Sequence, residues 1–178
     1  MQKLTILFGT IVIAILLTSV YVMVQNFIAF SISPDYFTQI KFPSFSYDSI
    51  MPGSEREKAV MLGLSSAWWI GIIIGAAVGF TAMLYNDYGY MRAAVRNGFL
   101  VIFCTVTIIN FILLIIGKFY WSRTDAALTP LVPDKDNFVA VKSVDDFIMY
   151  AVIAGVVFAL VYMVANKARL VRLNTASL

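Results

Sequence analysis

The apolar residues of this chain fall into four long runs, each without charged residues over most of its length. A helix needs about 20 residues to cross a bilayer core ~30 Å thick, and every run supplies them. The pattern predicts an all-α, integral membrane four-helix bundle formed by a single domain, residues 1–178. The predicted spans are about 4–24, 59–85, 93–117 and 146–165, with two extended outer loops at about 25–58 and 118–145.

Local signals mark where two spans begin. Pro52-Gly53 predicts a turn, and Ser54-Glu55-Arg56-Glu57 has the Ser-x-x-Glu pattern of a capping box. The polar stretch Asn86-Asp87-Tyr88-Gly89 is expected to end that span. Ser143-Val144-Asp145-Asp146 resembles a second capping box and predicts the start of the fourth span.

The first run, with Lys3 before it, is compatible with a cleaved signal peptide or with an uncleaved anchor. Its length and the absence of a following Ala-x-Ala site favour the anchor.

Composition excludes a water-soluble protein. The chain is 61% hydrophobic and 13% charged, whereas soluble domains have roughly 45–50% apolar and about 25% charged residues. The net charge is +3, but the basic residues are scattered and form no surface typical of nucleic-acid binding. The expected partners are membrane lipids, a second copy of the chain or another membrane protein.

The distribution of Lys and Arg predicts the orientation. Short segments on one side carry six basic residues and one acid, whereas the longer loops on the other carry seven basic residues and nine acids. Because cytoplasmic segments are enriched in Lys and Arg, both termini are expected to be cytoplasmic. The six basic residues are Lys3, Arg92, Arg96, Lys167, Arg169 and Arg172.

Small residues in the spans indicate close helix packing. Gly71, Gly75 and Gly79 recur at intervals of four in the second span, and Gly155 belongs to a weaker row in the fourth. Such rows let helix backbones approach closely in lipid, where the hydrophobic effect gives no drive to associate. The row fits two interpretations: packing of spans two and four within one protomer, or a homo-oligomer interface.

Little in the sequence points to chemistry. The chain has no His and a single Cys, which excludes a Ser-His-Asp triad, a histidine-ligated metal and an intrachain disulfide. Asn110 is the most polar residue within a span and could join helices or, with Thr107 and Ser65, line a polar path. The outer acids, Asp145 and Asp146 included, are expected to be solvated loop charges and a helix cap. No catalytic residue, metal or cofactor is therefore predicted.

The first outer loop is unusually aromatic, with six rings in the eighteen residues 30–47. These rings could anchor the loop at the lipid surface, pack with the second loop into a small cap, or present a surface to a partner. Trp68 and Trp69 are expected to lie beneath the loop as part of its floor. The six are Phe30, Tyr36, Phe37, Phe42, Phe45 and Tyr47.

Two short motifs carry a resemblance. Tyr36-Phe37-Thr38 after the first span and Ala67-Trp68-Trp69-Ile70-Gly71 in the second resemble an uncharacterised family of small bacterial four-helix membrane proteins. That family has a Tyr-Phe-Thr loop motif and a Trp-Trp-x-Gly start to its second span; residues 41–54 have no counterpart. The resemblance implies a bacterial inner-membrane location and transfers no activity or cofactor.

The sequence as a whole predicts a non-enzymatic scaffold or accessory subunit whose aromatic outer loops contact a partner or the lipid surface. The alternative is a small transporter or an oligomeric channel component.

Overall fold

A computed structural model describes residues 2–45, 53–124 and 132–176, without the side chains of Gln2 and of 171–176. Tyr47, Pro52 and the side chain of Arg172 lie outside the described residues. The helices are α1 (Gln2–Ile32), α2 (Pro34–Tyr36), α3 (Phe42–Ser44), α4 (Glu55–Ala82), α5 (Tyr88–Ile116), α6 (Ser122–Thr124) and α7 (Lys135–Ala176). Two π-helical segments, Phe37–Lys41 and Gly117–Trp121, precede α3 and α6.

The expected all-α bundle is confirmed. Four helices (α1, α4, α5 and α7) are long and apolar enough to cross a membrane, and the described part of the chain contains no strand. The outer segments differ from the expected extended loops, because most of their described residues are helical.

Helix ends and span ends do not coincide. The first helix continues to Ile32 rather than 24, α5 begins at Tyr88 rather than 93, and α7 begins at Lys135 rather than 146. With 42 residues, α7 is about 63 Å long, roughly twice the thickness of a bilayer core. Charge and hydropathy mark where lipid ends, but a helix continues into water when its outer turns find something to pack against.

The capping box at the start of α4 is confirmed. The Glu57 N–H donates to Ser54 Oγ (3.4 Å) and the Ser54 N–H donates to Glu57 Oε2 (2.9 Å).

The second expected cap is wrong. Ser143 is buried inside α7 and its hydroxyl donates to the Val139 carbonyl (2.6 Å). The cap is Asp134, twelve residues before the expected start of the span at 146: its side chain accepts from the Asn137 N–H (3.2 Å). A Ser-x-x-Asp spacing also occurs within helices, so the spacing alone does not locate a helix start.

The glycine row of α4 packs against α1. A Cβ added to Gly71 would lie 2.5 Å from Ile15 Cα, and one added to Gly75 would lie 2.6 Å from Ile11 Cα. Each step of four residues along α4 meets a step of four back along α1, which is a regular antiparallel register. Backbones this close exchange dispersion contacts that lipid does not replace.

The expected pairing of spans two and four through this row is therefore wrong. Gly79 continues the row and would place a Cβ 2.7 Å from Leu7 of α1. Gly155 of α7 instead faces α5, where its Cβ would lie 3.2 Å from the Ile102 carbonyl oxygen. The α4 row is buried within the protomer, so it is not the exposed surface that a homo-oligomer interface through it would need.

Hydrogen bonds fasten both ends of the α1–α4 pair. At one end Lys3 Nζ donates to the Met83 carbonyl (3.2 Å), which belongs to the unpaired C-terminal turn of α4. At the other, Asn26 Nδ2 donates to the Ala59 carbonyl (3.0 Å). Both bonds follow the register that the glycines set.

The other pair is α5 with α7, and the two pairs meet mainly through α4. A buried apolar core joins α4, α5 and α7, and the Tyr85 hydroxyl donates to the Met163 carbonyl (2.6 Å). Few residues of α1 contact α5, which leaves a cleft between those two helices. Core members include Ile74, Val78, Ala82, Ile102, Val106, Ala151 and Ala159.

We expect Gly71→Ala to destabilise the bundle by about 1–3 kcal/mol, because its methyl meets backbone that cannot move aside. Gly9→Ala is the matched control, since nothing lies within 4 Å of a Cβ there. Thermal unfolding of the two purified variants in one detergent compares them. Equal stability of both variants would contradict the packing described.

Candidate functional site

The aromatic segment after α1 forms a compact structure, called here the cap. The cap consists of α2, the π-helical segment Phe37–Lys41 and α3, with the C-terminal end of α1 and the N-terminal parts of α4 and α7 that they contact. Tyr36, Phe37 and Phe42 are fully buried in it. The Phe37 ring lies 5.6 Å from Phe30, and the Tyr36 ring lies 5.7 Å from Phe138 of α7. Of the three interpretations of the aromatic loop, packing into a cap accounts for these rings.

The floor of the cap differs from the expectation. Ala59 and Leu62 of α4 are buried beneath the rings. Trp68 and Trp69, in contrast, are 52% and 42% exposed on the surface of the bundle. The α-helical period explains this, because the two tryptophans lie roughly 100° and 200° around the axis from buried Ala67. The expectation that the tryptophans form the floor is wrong.

An ion pair with two polar neighbours connects the cap to the bundle. Asp145 of α7 accepts from Lys41 Nζ (2.5 Å) and from the Tyr36 hydroxyl (2.5 Å). Lys41 Nζ also donates to Asn26 Oδ1 (3.3 Å), and Asn26 donates to the Ala59 carbonyl. These five residues, called here the cap network, join α1, α2, the first π-helical segment, α4 and α7.

Burial makes the cap network sensitive to the loss of a partner. The Lys41 side chain is 13% exposed and that of Asp145 34%, and Lys41 Nζ lies 5.4 Å from the centre of the Phe37 ring. Removing one partner of a buried ion pair leaves an uncompensated charge, which destabilises more than the intact pair stabilises.

Tyr36 is held in its neutral, donating form. Burial, followed by the charge of Asp145, raises the pKa of the Tyr36 phenol above its ordinary value. The stabilisation from this group is therefore complete below the unfolded pKa of about 10, and it is lost progressively as the pH rises from that value through the folded pKa.

Asp145 corrects the expectation that the outer acids are solvated charges and a cap. It lies within α7 and on the inward face, since Phe138, Val141 and Asp145 follow the i, i+3, i+7 spacing of one helix face. Its neighbour Asp146 points outward and pairs with Lys142, with side chains 49% and 37% exposed. Once α7 is known to begin at Lys135, this spacing places Asp145 on the buried face of the helix. If the helix began at 146, Phe138, Val141 and Asp145 would not share a helix and the pattern could not be recognised.

Thr38 takes no part in the cap network. Its hydroxyl lies within 3.4 Å of the carbonyl oxygens of Pro34 and Asp35, so it bonds to its own helical turn.

Asn110 lies at the α1–α5 interface. It is largely buried, and its Nδ2 donates to the Tyr21 hydroxyl (3.4 Å), which is 3.1 Å from Thr107 Oγ1. These contacts join two helices, as expected for a structural role. Asn110 Oδ1 has no partner within the described residues.

The cleft between α1 and α5 holds two cavities. The outer one has about 300 Å³ and is lined by Tyr21, Gln25, Thr107, Asn110 and apolar residues. The inner one has about 540 Å³, with Arg92 and Arg96 at its end. Tyr21 lines the outer cavity and packs 5.4 Å from Phe103 of the inner one, so this contact lies where the two meet.

Neither motif of the sequence resemblance defines a pocket, because Tyr36 and Phe37 are buried in the cap while Trp68 and Trp69 face outward. No group of three His, Cys, Asp or Glu in the described ranges is placed to hold a metal ion.

No family model, curated protein or solved structure matches the chain. The family resemblance inferred from the sequence stays a prediction.

We expect Asp145→Asn to lower the free energy of unfolding by about 2 kcal/mol, because it leaves Lys41 without its counter-charge. Asp146→Asn is the same change one residue later and removes only an exposed ion pair. It should change the free energy of unfolding by less than about 0.5 kcal/mol. Chemical denaturation in detergent, with hydrogen exchange of residues 34–44, measures both effects. Similar losses in the two variants would show that the cap network does not fasten the cap.

Proposed function

We propose that this chain is a non-enzymatic scaffold or accessory subunit of the bacterial inner membrane, which holds a rigid cap at the outer surface. The cap network is the observation that carries the proposal. Lys41 and Asp145 neutralise each other across two segments about 100 residues apart and leave the cap with a fixed shape. A preorganised surface binds a partner without the entropic cost of ordering a loop.

Exposed aromatic residues support contact between the cap region and lipid headgroups. Phe119 and Tyr120 are exposed just after α5, Tyr150 is exposed on α7, and Phe147 stacks on Trp121 at 5.4 Å. Aromatic side chains of this kind concentrate at membrane–water interfaces. The cap would then rest on the headgroup layer with α2 and α3 directed to water.

Charge supports cytoplasmic termini. Several outer basic residues are engaged within the protein: Lys41 with Asp145, Lys142 with Asp146, and Lys118 with the Asn137 side chain (3.0 Å). The basic residues at the other end carry the excess that the positive-inside rule associates with the cytoplasm.

Single-cysteine labelling tests this orientation. In a Cys104→Ser background, Ser44→Cys on the cap should react with a membrane-impermeant maleimide in intact spheroplasts. Asn86→Cys, between α4 and α5, should react only after lysis. The reverse pattern would place the cap in the cytoplasm and overturn the assignment.

Site-specific photo-crosslinking tests the scaffold role. A photoreactive amino acid at exposed Pro43 should give one discrete protein adduct in native membranes, and the same residue at lipid-facing Val12 should not. Asp145→Asn should reduce the adduct severalfold at an unchanged membrane level, while Asp146→Asn should leave it intact. An adduct that is absent, or equally strong in both variants, would count against a cap-dependent partner.

A transporter or channel component remains the second candidate, supported by the two cavities of the α1–α5 cleft. Thr107 and Asn110 line the outer cavity, but Ser65, the third residue expected on a polar path, lies on the exposed side of α4. Flux of ions or small solutes into liposomes containing the pure protein would favour this candidate over the scaffold.

A further inference from the structure

The inner cavity of the α1–α5 cleft is amphipathic. Its walls are apolar, formed by residues such as Ile6 and Ile13 of α1 and Phe99 and Phe103 of α5. Its volume of about 540 Å³ lies within the range of small-molecule sites. The cavity lies in the cleft between α1 and α5, so that in a bilayer it would face the acyl chains.

Helix pairing accounts for the cavity. The glycine row packs α1 closely against α4, and α5 packs against α7. Neither α1 nor α5 therefore has its close partner across the cleft. Gly9 lines the cavity, and nothing lies within 4 Å of a Cβ built there, in contrast to Gly71 at 2.5 Å. Gly9 therefore widens the cleft instead of closing a helix contact.

The end of the cavity is strongly positive. Arg92 and Arg96 are one helical turn apart, and both also line an adjoining space of about 360 Å³. Within the described residues neither arginine has a carboxylate partner, and the nearby carboxylate of Asp87 accepts from the N–H groups of Gly89 and Tyr90.

We propose that this cavity binds an anionic phospholipid, with its phosphate between Arg92 and Arg96 and an acyl chain along Gly9 and Phe99. Guanidinium groups bind phosphate oxygens in a bidentate way, which suits this pair of side chains. The chain would end where Tyr21 and Phe103 pack together. Positive residues at a cytoplasmic interface are common. Arg92 and Arg96 differ because they also lie at the end of an apolar cavity. A cavity with an apolar wall and a positive end favours a ligand with an apolar chain and a negative headgroup.

Native mass spectrometry of the full chain in detergent tests the proposal, with phosphatidylglycerol as the probe. We expect phosphatidylglycerol to bind about tenfold more tightly than phosphatidylcholine, a difference of about 1.4 kcal/mol. The double change Arg92→Gln with Arg96→Gln should remove this preference. Gly9→Leu, which fills the cavity, should weaken phosphatidylglycerol binding about tenfold with both arginines present.

Matched controls separate a site from general attraction. Arg169→Gln removes a charge from the same end of the bundle, and Ala165→Leu adds a similar bulk on an exposed face of α7; both should leave binding unchanged. Equal losses in Arg169→Gln and the double arginine variant would reduce the effect to diffuse electrostatics. If inorganic phosphate displaced phosphatidylglycerol at concentrations similar to those of the lipid, the site would recognise phosphate alone. Either result overturns the proposal, as does equal binding of both lipids.

Folding of each variant is checked by its thermal unfolding without added lipid. Should Gly9→Leu fail to fold, Leu17→Phe fills the same cavity without a change at glycine and carries the same expectation. Normal phosphatidylglycerol binding by a folded cavity-filling variant would overturn the acyl-chain site. The cap experiments do not involve Arg92 or Arg96, so the two proposals can fail independently.

Discussion

The close approach of α1 and α4 is the constraint on which the rest of the structure depends. Glycines at intervals of four remove the side chains that would otherwise separate the two backbones. In lipid, where apolar burial gives no net drive, this contact and the dispersion it provides hold the helices together. It also fixes the register, since a shift of one residue would bring side chains into the space that only glycine leaves.

That register determines what lies at the outer end of the pair. It brings Asn26 to the Ala59 carbonyl and leaves the Asn26 oxygen available to Lys41. Lys41 can then pair with Asp145, because α7 begins at Lys135 and is already helical at residue 145. The cap is thus assembled on helix ends, and the aromatic rings fill the space that these polar contacts define.

The same pairing leaves α1 and α5 apart. Because α1 packs against the glycine face of α4 and α5 packs against α7, neither helix has its close partner across the cleft. Tyr21 bridges the cleft through Thr107 and Asn110 and divides it into an outer part with amide groups and an inner part that ends at two arginines. The packing of α1 on α4 therefore accounts for both the fixed cap and the cleft between α1 and α5.

The sequence by itself determined the four spans, the capping box at Ser54 and the presence of a close-packing glycine row, because each depends on local composition or spacing. It did not determine the partner of that row, the start of α7 or the role of Asp145. Asp145 shows why: its neighbour Asp146 is of the same type but forms only an exposed pair with Lys142, and only the rotation of α7 against its neighbours distinguishes the two. Contacts between residues a hundred positions apart decide which polar groups are buried, and no short stretch of sequence records them.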